Sequence, residues 1–206
     1  MATGPRYRVP FRRRKEGRTN YRSRRALVLS RAPRVVVRLS LKNTIIQVTE
    51  AESIGDKVII SAHSRELMKT YGWLSNGGNI PAAYLTGLLC GYKAHAAGVE
   101  TAFLDVGLHI PSKGTRVFAA LKGFIDAGVE VPHGEGIFPN KDTLTGKQIA
   151  NYAKKMFEED IEAYKKKFSI YISKGLRPET LTEHFTAVKA KIVSSFKENV
   201  KEKEEA

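Results

Sequence analysis

The chain reads as an α/β protein: a mixed sheet that begins with an antiparallel three-strand meander, helices packed on it, a basic extended N-terminal arm and a helical C-terminal extension. Three observations predict this. Three Val- and Ile-rich runs of strand length follow one another between residues 34 and 63, with a turn signal after each of the first two. Apolar residues then recur at helical spacing, interrupted by one short apolar run at 101–107. Positive charge is concentrated ahead of all of them. The expected boundaries are 1–31 for a basic arm and short helix, 32–140 for the core and 141–206 for the extension.

Residues 1–18 carry Gly4, Pro5, Pro10 and Gly17 and no apolar face at helical spacing, so an extended arm is expected that orders on binding. Tyr7 and Phe11 offer flat surfaces for stacking. Thr19 is placed to cap a helix over 20–31. Its apolar side would be Ala26, Leu27 and Leu29, with Arg22, Arg24, Arg25 and Arg31 opposite. Pro33 stops it. Strands are expected at 34–41, 44–51 and 56–63, with turns at Lys42-Asn43 and Ser53–Gly55. In the first, Val35, Val37 and Leu39 share one face, and Val36, Arg38 and Ser40 the other. That second face carries an Arg toward a possible ligand.

A short helix over 65–74 and a loop at 75–79 come next. Asn79 caps a helix over 80–97 with Pro81 in its first turn. Ala82, Ala83, Leu85, Leu89, Ala96 and Ala97 predict a small-residue surface against a sheet, and Gly98 ends the helix. A helix over 115–127 is expected between Thr115 and Gly128, with Val117, Ala120, Leu121, Phe124 and Ile125 as its stripe. Thr145 and Gln148 have capping-box spacing ahead of Ile149, Tyr152, Met156 and Ile161. Pro178 opens a last helix with the stripe Phe185, Val188, Ile192 and Phe196. The charge-dense end, 197–206, is expected to fray.

Composition narrows the function. The 206 residues hold 35 Lys+Arg against 21 Asp+Glu, a net charge of +14. Residues 1–42 contain twelve Arg, two Lys and one acid, Glu16, or +13. Residues 43–206 contain three Arg, eighteen Lys and twenty acids, or +1. Lys would serve solubility as well as Arg. Arg grips phosphate with a planar fork and stacks on bases, so this bias points to a polyanion, nucleic acid first. A solvated basic tail is the plain alternative. One cysteine, Cys90, excludes an intrachain disulfide framework and a cysteine-rich zinc site. The charged start shows no secretory signal, and 80–97 is too short and polar to span a bilayer.

No catalytic constellation is legible. Gly-x-Gly-x-x-Gly after a strand is missing, and Gly146-Lys147 lacks the rest of a phosphate loop. His133-Gly-Glu135 begins like a deaminase zinc motif without its Cys pair. The five His have no metal-ligand spacing. Asp105 and His109, near a strand end, are the best candidates for an RNA-processing activity. Two loops suit nucleic acid at least as well as an ordinary turn. Lys113 and Arg116 flank Gly114 and Thr115 at a helix entry, where a phosphate fits. Asn76 and Asn79 bracket two glycines, leaving amides open to RNA edges. A DNA-compacting protein would also use an Arg arm.

Several stretches carry a family resemblance. Residues 12–30 (RRRKEGRTNYRSRRALVLS), 35–48 (VVVRLSLKNTIIQV), 78–94 (GNIPAAYLTGLLCGYKA) and 103–135 resemble the archaeal type of ribosomal protein eighteen of the large subunit. This is the universal 5S-ribosomal-RNA-binding family. The resemblance runs from about residue 6 to residue 165. It departs at Gly-Asn-Ile-Pro81, where many relatives have a Thr-Asn-Tyr-like sequence. It implies a non-enzymatic protein, without cofactor, small-molecule substrate or membrane, that helps seat 5S rRNA in the central protuberance beside large-subunit rRNA and neighbouring ribosomal proteins. Carried onto this chain, the RNA-facing positions are Arg12, Arg13, Arg14, Lys15, Arg18, Tyr21, Arg22 and Arg25, then Arg38, Lys42 and Asn43. The loops with Asn76, Asn79, Lys113 and Arg116 are added by the same resemblance. Arg6, Arg8 and Arg24 complete the candidate set from the basic segment.

Overall fold

Alternation along β1 (Arg34–Leu39) divides the molecule into two sides. Val35 and Val37 are fully buried, whereas Arg38 is exposed. β1 pairs antiparallel with β2 (Thr44–Ala51), and β2 with β3 (Asp56–His63), which is the expected meander. β4 (Phe103–Asp105) joins parallel to β1, so the strand order is β3-β2-β1-β4. β4 is only three residues long, shorter than the 101–107 run predicts. Gly107 at φ +61° turns the chain out of the sheet directly after it. The structure is a computed structural model that describes residues 4–204, with side chains through Phe196.

One sheet face is roofed by α4 (Ile80–Ala96) and α5 (Arg116–Asp126). Val35, Val37, Ile46 and Val48 are at most 2 % exposed beneath them. Each such side chain contributes about 1.5–3 kcal/mol relative to exposure. α4 is buried over almost its whole first three turns, and Asn79 caps it by accepting from the Ala82 amide at 2.9 Å. α4 meets the sheet as the sequence predicts, and its glycines add a second contact, to α5. A Cβ on Gly87 would lie inside van der Waals contact of the Ala120 carbonyl, and one on Gly123 would strike the Tyr84 carbonyl. The closest approach is therefore helix on helix, α4 on α5. Leu85 and Leu89 are buried as expected, but Ala96 and Ala97 are exposed. Their glycine-poor turn lies past the crossing with α5.

α3 (Ser64–Thr70) is shorter than 65–74 and starts one residue earlier. His63 caps it, its Nδ1 accepting from the Arg65 amide at 2.9 Å while Glu66 Oε1 accepts from the His63 amide at 3.3 Å. Gly72 at φ +72° ends it, and buried Trp73 follows in the loop.

The later helices differ most from the expected capping. α6 (Lys141–Thr145) and α7 (Lys147–Glu159) are separated by Gly146 at φ +80°. Thr145 sits at the end of α6, and its hydroxyl donates back to the Lys141 and Asp142 carbonyls instead of capping α7. A left-handed glycine satisfies the chain reversal that the capping-box spacing only mimics. Asp160 then breaks the helix and caps α8 (Ile161–Lys167), accepting from the Glu162 and Ala163 amides at 2.8 and 3.0 Å. Ile161 thus falls on a new helix and is half-exposed, as is Tyr152, while Ala150 and Ala153 are buried. α9 (Ser169–Ser173) and a 3-10 turn at Pro178–Thr180 lead into α10 (Leu181–Glu204). Phe185, Val188 and Ile192 of α10 join the central core, and Phe196 stacks on Tyr92 with centroids 5.4 Å apart. The expectation that 197–206 frays falls on residues outside the described side chains. No helix among the described residues is long and apolar enough to cross a membrane.

Candidate nucleic-acid interface

The other sheet face has no helical roof. It holds Arg34, Val36 and Arg38 from β1, Gln47 and Thr49 from β2 and Val58 from β3, of which Arg34 and Thr49 are buried and Arg38 and Val58 exposed. The basic N-terminal segment lies along one side of it, leaving a cleft of about 520 Å³ between the two. Arg13, Arg18, Arg24 and Arg38 all line this cleft.

The arm is extended except for one turn, α1 (Arg12–Lys15). That turn has no buried residue, and local charge holds it. Glu16 reaches Arg12 at 3.7 Å and Arg18 at 3.2 Å, and Gly17 at φ +64° folds the chain back. Arg13 Nε donates to Thr19 Oγ1 at 2.8 Å, and the Phe11 and Tyr21 rings approach to 5.1 Å. α2 (Tyr21–Leu29) is capped by Asn20 and not Thr19. The Asn20 Oδ1 accepts from the Arg22 and Ser23 amides at 3.1 and 3.3 Å, while the Thr19 hydroxyl is occupied by Arg13. The inner residues of α2 are Leu27 and Val28, with Ala26 and Leu29 exposed. Tyr21 and Arg24 lie on the same inward side, so the face that packs is set by tertiary contacts and not by the apolar residues alone.

An ion network fastens α2 to the sheet. Asp56 accepts from Arg24 bidentately, at 2.6 and 2.7 Å, and from Arg34 at 2.6 Å. Arg34 also donates to Asp105 at 3.0 Å and is 1 % exposed. Two cations and two carboxylates cancel. Hydrogen bonds from Arg24, then from Arg34, hold the Asp56 carboxyl below its ordinary 3.8. Asp105 also accepts from the Gly107 amide at 2.9 Å, so the enzyme candidate is engaged as a structural acceptor. Neither Arg34 nor Asp56 stands out in the sequence. Their one signal is position: Arg34 shares a period-two face with Arg38, and Asp56 follows a turn.

The candidate residues separate into three groups. Arg6, Arg8, Arg14, Lys15, Arg22, Arg25, Arg38, Lys42 and Lys113 are exposed and make no ion pair or side-chain hydrogen bond among the described residues. Arg12, Arg13, Arg18, Tyr21 and Arg24 serve the arm's own geometry. Asn43, Asn76, Asn79 and Arg116 hold loops together. Asn43 Oδ1 accepts from Ser64 Oγ at 3.4 Å, and Asn76 Oδ1 from the Gly78 amide at 3.1 Å. Arg116 donates to the Ser40 and Gly78 carbonyls at 3.0 and 2.7 Å. The Gly77-Gly78 loop is pressed against Leu41 and Lys42, where a Cβ at either glycine would collide with backbone. These glycines allow a close approach within the protein. Thr115 stands at the start of α5, but its hydroxyl has no partner.

A second hollow, of about 890 Å³, lies among α7, α8 and α9 and is mainly apolar, with Phe157, Ile161, Tyr164 and Ile172 in its wall. No group of three or more His, Cys, Asp or Glu suited to a metal occurs among the described residues. Cys90 is buried in α4, where burial pushes its thiol up to about 12.

A sheet face without a core helix over it, a cleft edged by arginine and a run of unpaired cations make one side of this α/β protein strongly cationic. The family model described as ribosomal large subunit proteins 60S L5 and 50S L18 matches residues 5–98 and 94–134. The chain belongs to that family of large-subunit ribosomal proteins. Membership carries a structural role in the ribosome of the cytoplasm, in translation and in rRNA binding.

Proposed function

We propose that this chain binds 5S rRNA and helps anchor it in the central protuberance of the large subunit, without catalysis. The observation that carries this reading is the set of exposed, unpaired cations at Arg6, Arg8, Arg14, Lys15, Arg22, Arg25 and Arg38, beside an unroofed sheet face. Lys42 and Lys113 extend it. Arginine forks neutralise phosphates, Tyr7 and Phe11 pack on sugars or bases, and the sheet fixes orientation. Arg12, Arg13, Arg18, Tyr21 and Arg24 shape the grip and can share in it at their free edges. Asn43, Asn76, Asn79 and Arg116 contribute by holding the adjoining loops. Large-subunit rRNA and neighbouring proteins of the central protuberance are the further partners. Residues 1–31 supply most of the grip, and residues 32–140 and the C-terminal helices from 141, which share one core, carry it.

Binding to 5S rRNA across salt concentrations tests the reading. Seven phosphate contacts predict a log–log slope of about −5. A slope near zero, or equal affinity for an unrelated RNA of the same length, overturns it. Preference for duplex DNA in competition points instead to a DNA-compacting protein.

A further inference from the structure

The acid at the start of β3 stands where an RNA-binding surface would be expected to exclude negative charge. Asp56 lines the cleft together with Arg13, Arg18 and Arg38, and a carboxylate there repels phosphate. Its geometry indicates what offsets that repulsion. Both carboxylate oxygens are used, three short charge-assisted bonds converge on it, and they come from two different elements. Arg24 belongs to α2, 32 residues away, and Arg34 to the buried side of the same cleft. α2 buries no residue, so packing alone holds it weakly. The Arg24–Asp56 fork is its one bidentate ion pair to the sheet among the described residues.

We infer that Asp56 is a positioning residue for RNA binding, holding α2 against the sheet so that Arg22 and Arg25 are presented in a fixed array. This rests on the proposed rRNA-binding role. The fork sets the rotation of α2, and Arg22 and Arg25 flank Arg24 on its outward side. Arg34, desolvated and shared between Asp56 and Asp105, keeps the Asp56 carboxylate aimed at α2. A pre-arranged array loses less side-chain and backbone entropy on binding than a loose one.

The positioning and purely electrostatic readings predict opposite signs. Asp56→Asn removes a negative charge beside the cleft, so simple electrostatics raises affinity for RNA. Positioning predicts a loss of about fivefold or more, because Asn cannot accept the bidentate fork. Glu52→Gln is the control. It removes the same charge from the same hairpin, where Glu52 meets only Lys57 at 3.6 Å. Its affinity is expected within about twofold of the parent. Amide exchange on the free proteins is the second readout. Residues 21–29 should exchange faster in Asp56→Asn but not in Glu52→Gln, with α4 unchanged in both. Affinity in Asp56→Asn equal to or above that of Glu52→Gln, or unchanged exchange in α2, overturns the inference. If the parent itself fails to bind 5S rRNA, the proposed function fails, and exchange alone still decides whether Asp56 fastens α2. If Asp56→Asn does not fold, Arg24→Gln leaves Arg34 both carboxylates. Faster exchange over 21–29 then supports the inference and parental exchange overturns it.

Discussion

The two faces of one sheet are built from alternate residues of the same strands, yet different forces hold them. On the covered face Val35, Val37, Ile46 and Val48 are sealed by α4, and α5 packs on α4 through Gly87, Gly91 and Gly123. On the open face Arg34, Arg24, Asp56 and Asp105 form a charge-balanced network, with Arg38 left exposed beside it. Dispersion and hydrophobic burial tolerate no added atom on the first face. Hydrogen-bonded charge on the second leaves room for a ligand. The lesson concerns arginine: the same side chain is a buried rivet at position 34 and a free, exposed cation at position 38, two pleats apart.

The sharpest way to separate the faces is to remove what lies on one of them. Deleting residues 1–25 is expected to lower 5S rRNA affinity about a hundredfold or more, through loss of most phosphate contacts. The core should remain folded, since none of its buried residues lies in the deleted stretch. Circular dichroism and a binding assay read the two halves, and parental affinity in the truncated protein would mean that the grip lies elsewhere.

The converse experiment strikes the covered face. Gly87→Ala adds one methyl to a helix interior, and intrinsic propensity alone predicts a gain of about 1 kcal/mol. The Ala120 carbonyl occupies that space, so a loss of about 2–3 kcal/mol is expected instead. The melting temperature gives the sign directly. A rise in Tm would mean that the α4–α5 crossing relaxes freely.

A smaller effect belongs to a single free cation. Arg38→Gln should weaken RNA binding about fivefold and make the salt slope shallower by about 0.7, with Tm unchanged. Loss of stability in that variant would place Arg38 among the rivets.

The smallest expected effect is a pH dependence on the covered side. His184 accepts a hydrogen bond from the Leu74 amide at 3.1 Å and stacks on Trp73 with centroids 5.1 Å apart, tying α10 to the core. Burial first, then Lys191, lowers its pKa from the ordinary 6.5. The unfolded chain therefore takes up the proton at higher pH than the folded one. Stability contributed by neutral His184 is complete above 6.5 and declines as pH falls toward the lowered folded value. His63 shifts the same way, through burial and Arg65. Tm should drop between pH 7.5 and 5.5, and His184→Gln should reduce that drop. An identical drop in the variant assigns the effect to another group.

Much of the fold can be read from local pattern. Period-two runs mark the three-strand meander, Asn79 and Pro81 mark the start of α4, and Phe185, Val188 and Ile192 mark the inward side of α10. The misread caps share one cause. Thr19 and Thr145 have the right chemistry for caps, but Asn20 and Gly146 do the work, because a cap depends on backbone angles that neighbours one residue apart can exchange. The candidate site is legible as a set of cations and not as an arrangement. Nothing near Arg24, Arg34 or Arg116 in the chain distinguishes them from Arg22, Arg38 or Arg25. Their partners, Asp56, Asp105 and the Gly78 carbonyl, lie 22 to 71 residues away.

By itself the sequence determined the α/β class, the segregation of +13 charge into the first 42 residues and the stretches that carry the family likeness. These depend on composition and on periods of two and 3.6, which are properties of neighbours. Tertiary structure decided which arginines are free, which glycines permit close contact, and that an acid, Asp56, belongs to the cationic face. Those outcomes depend on distances between residues far apart in the chain, and only folding sets them.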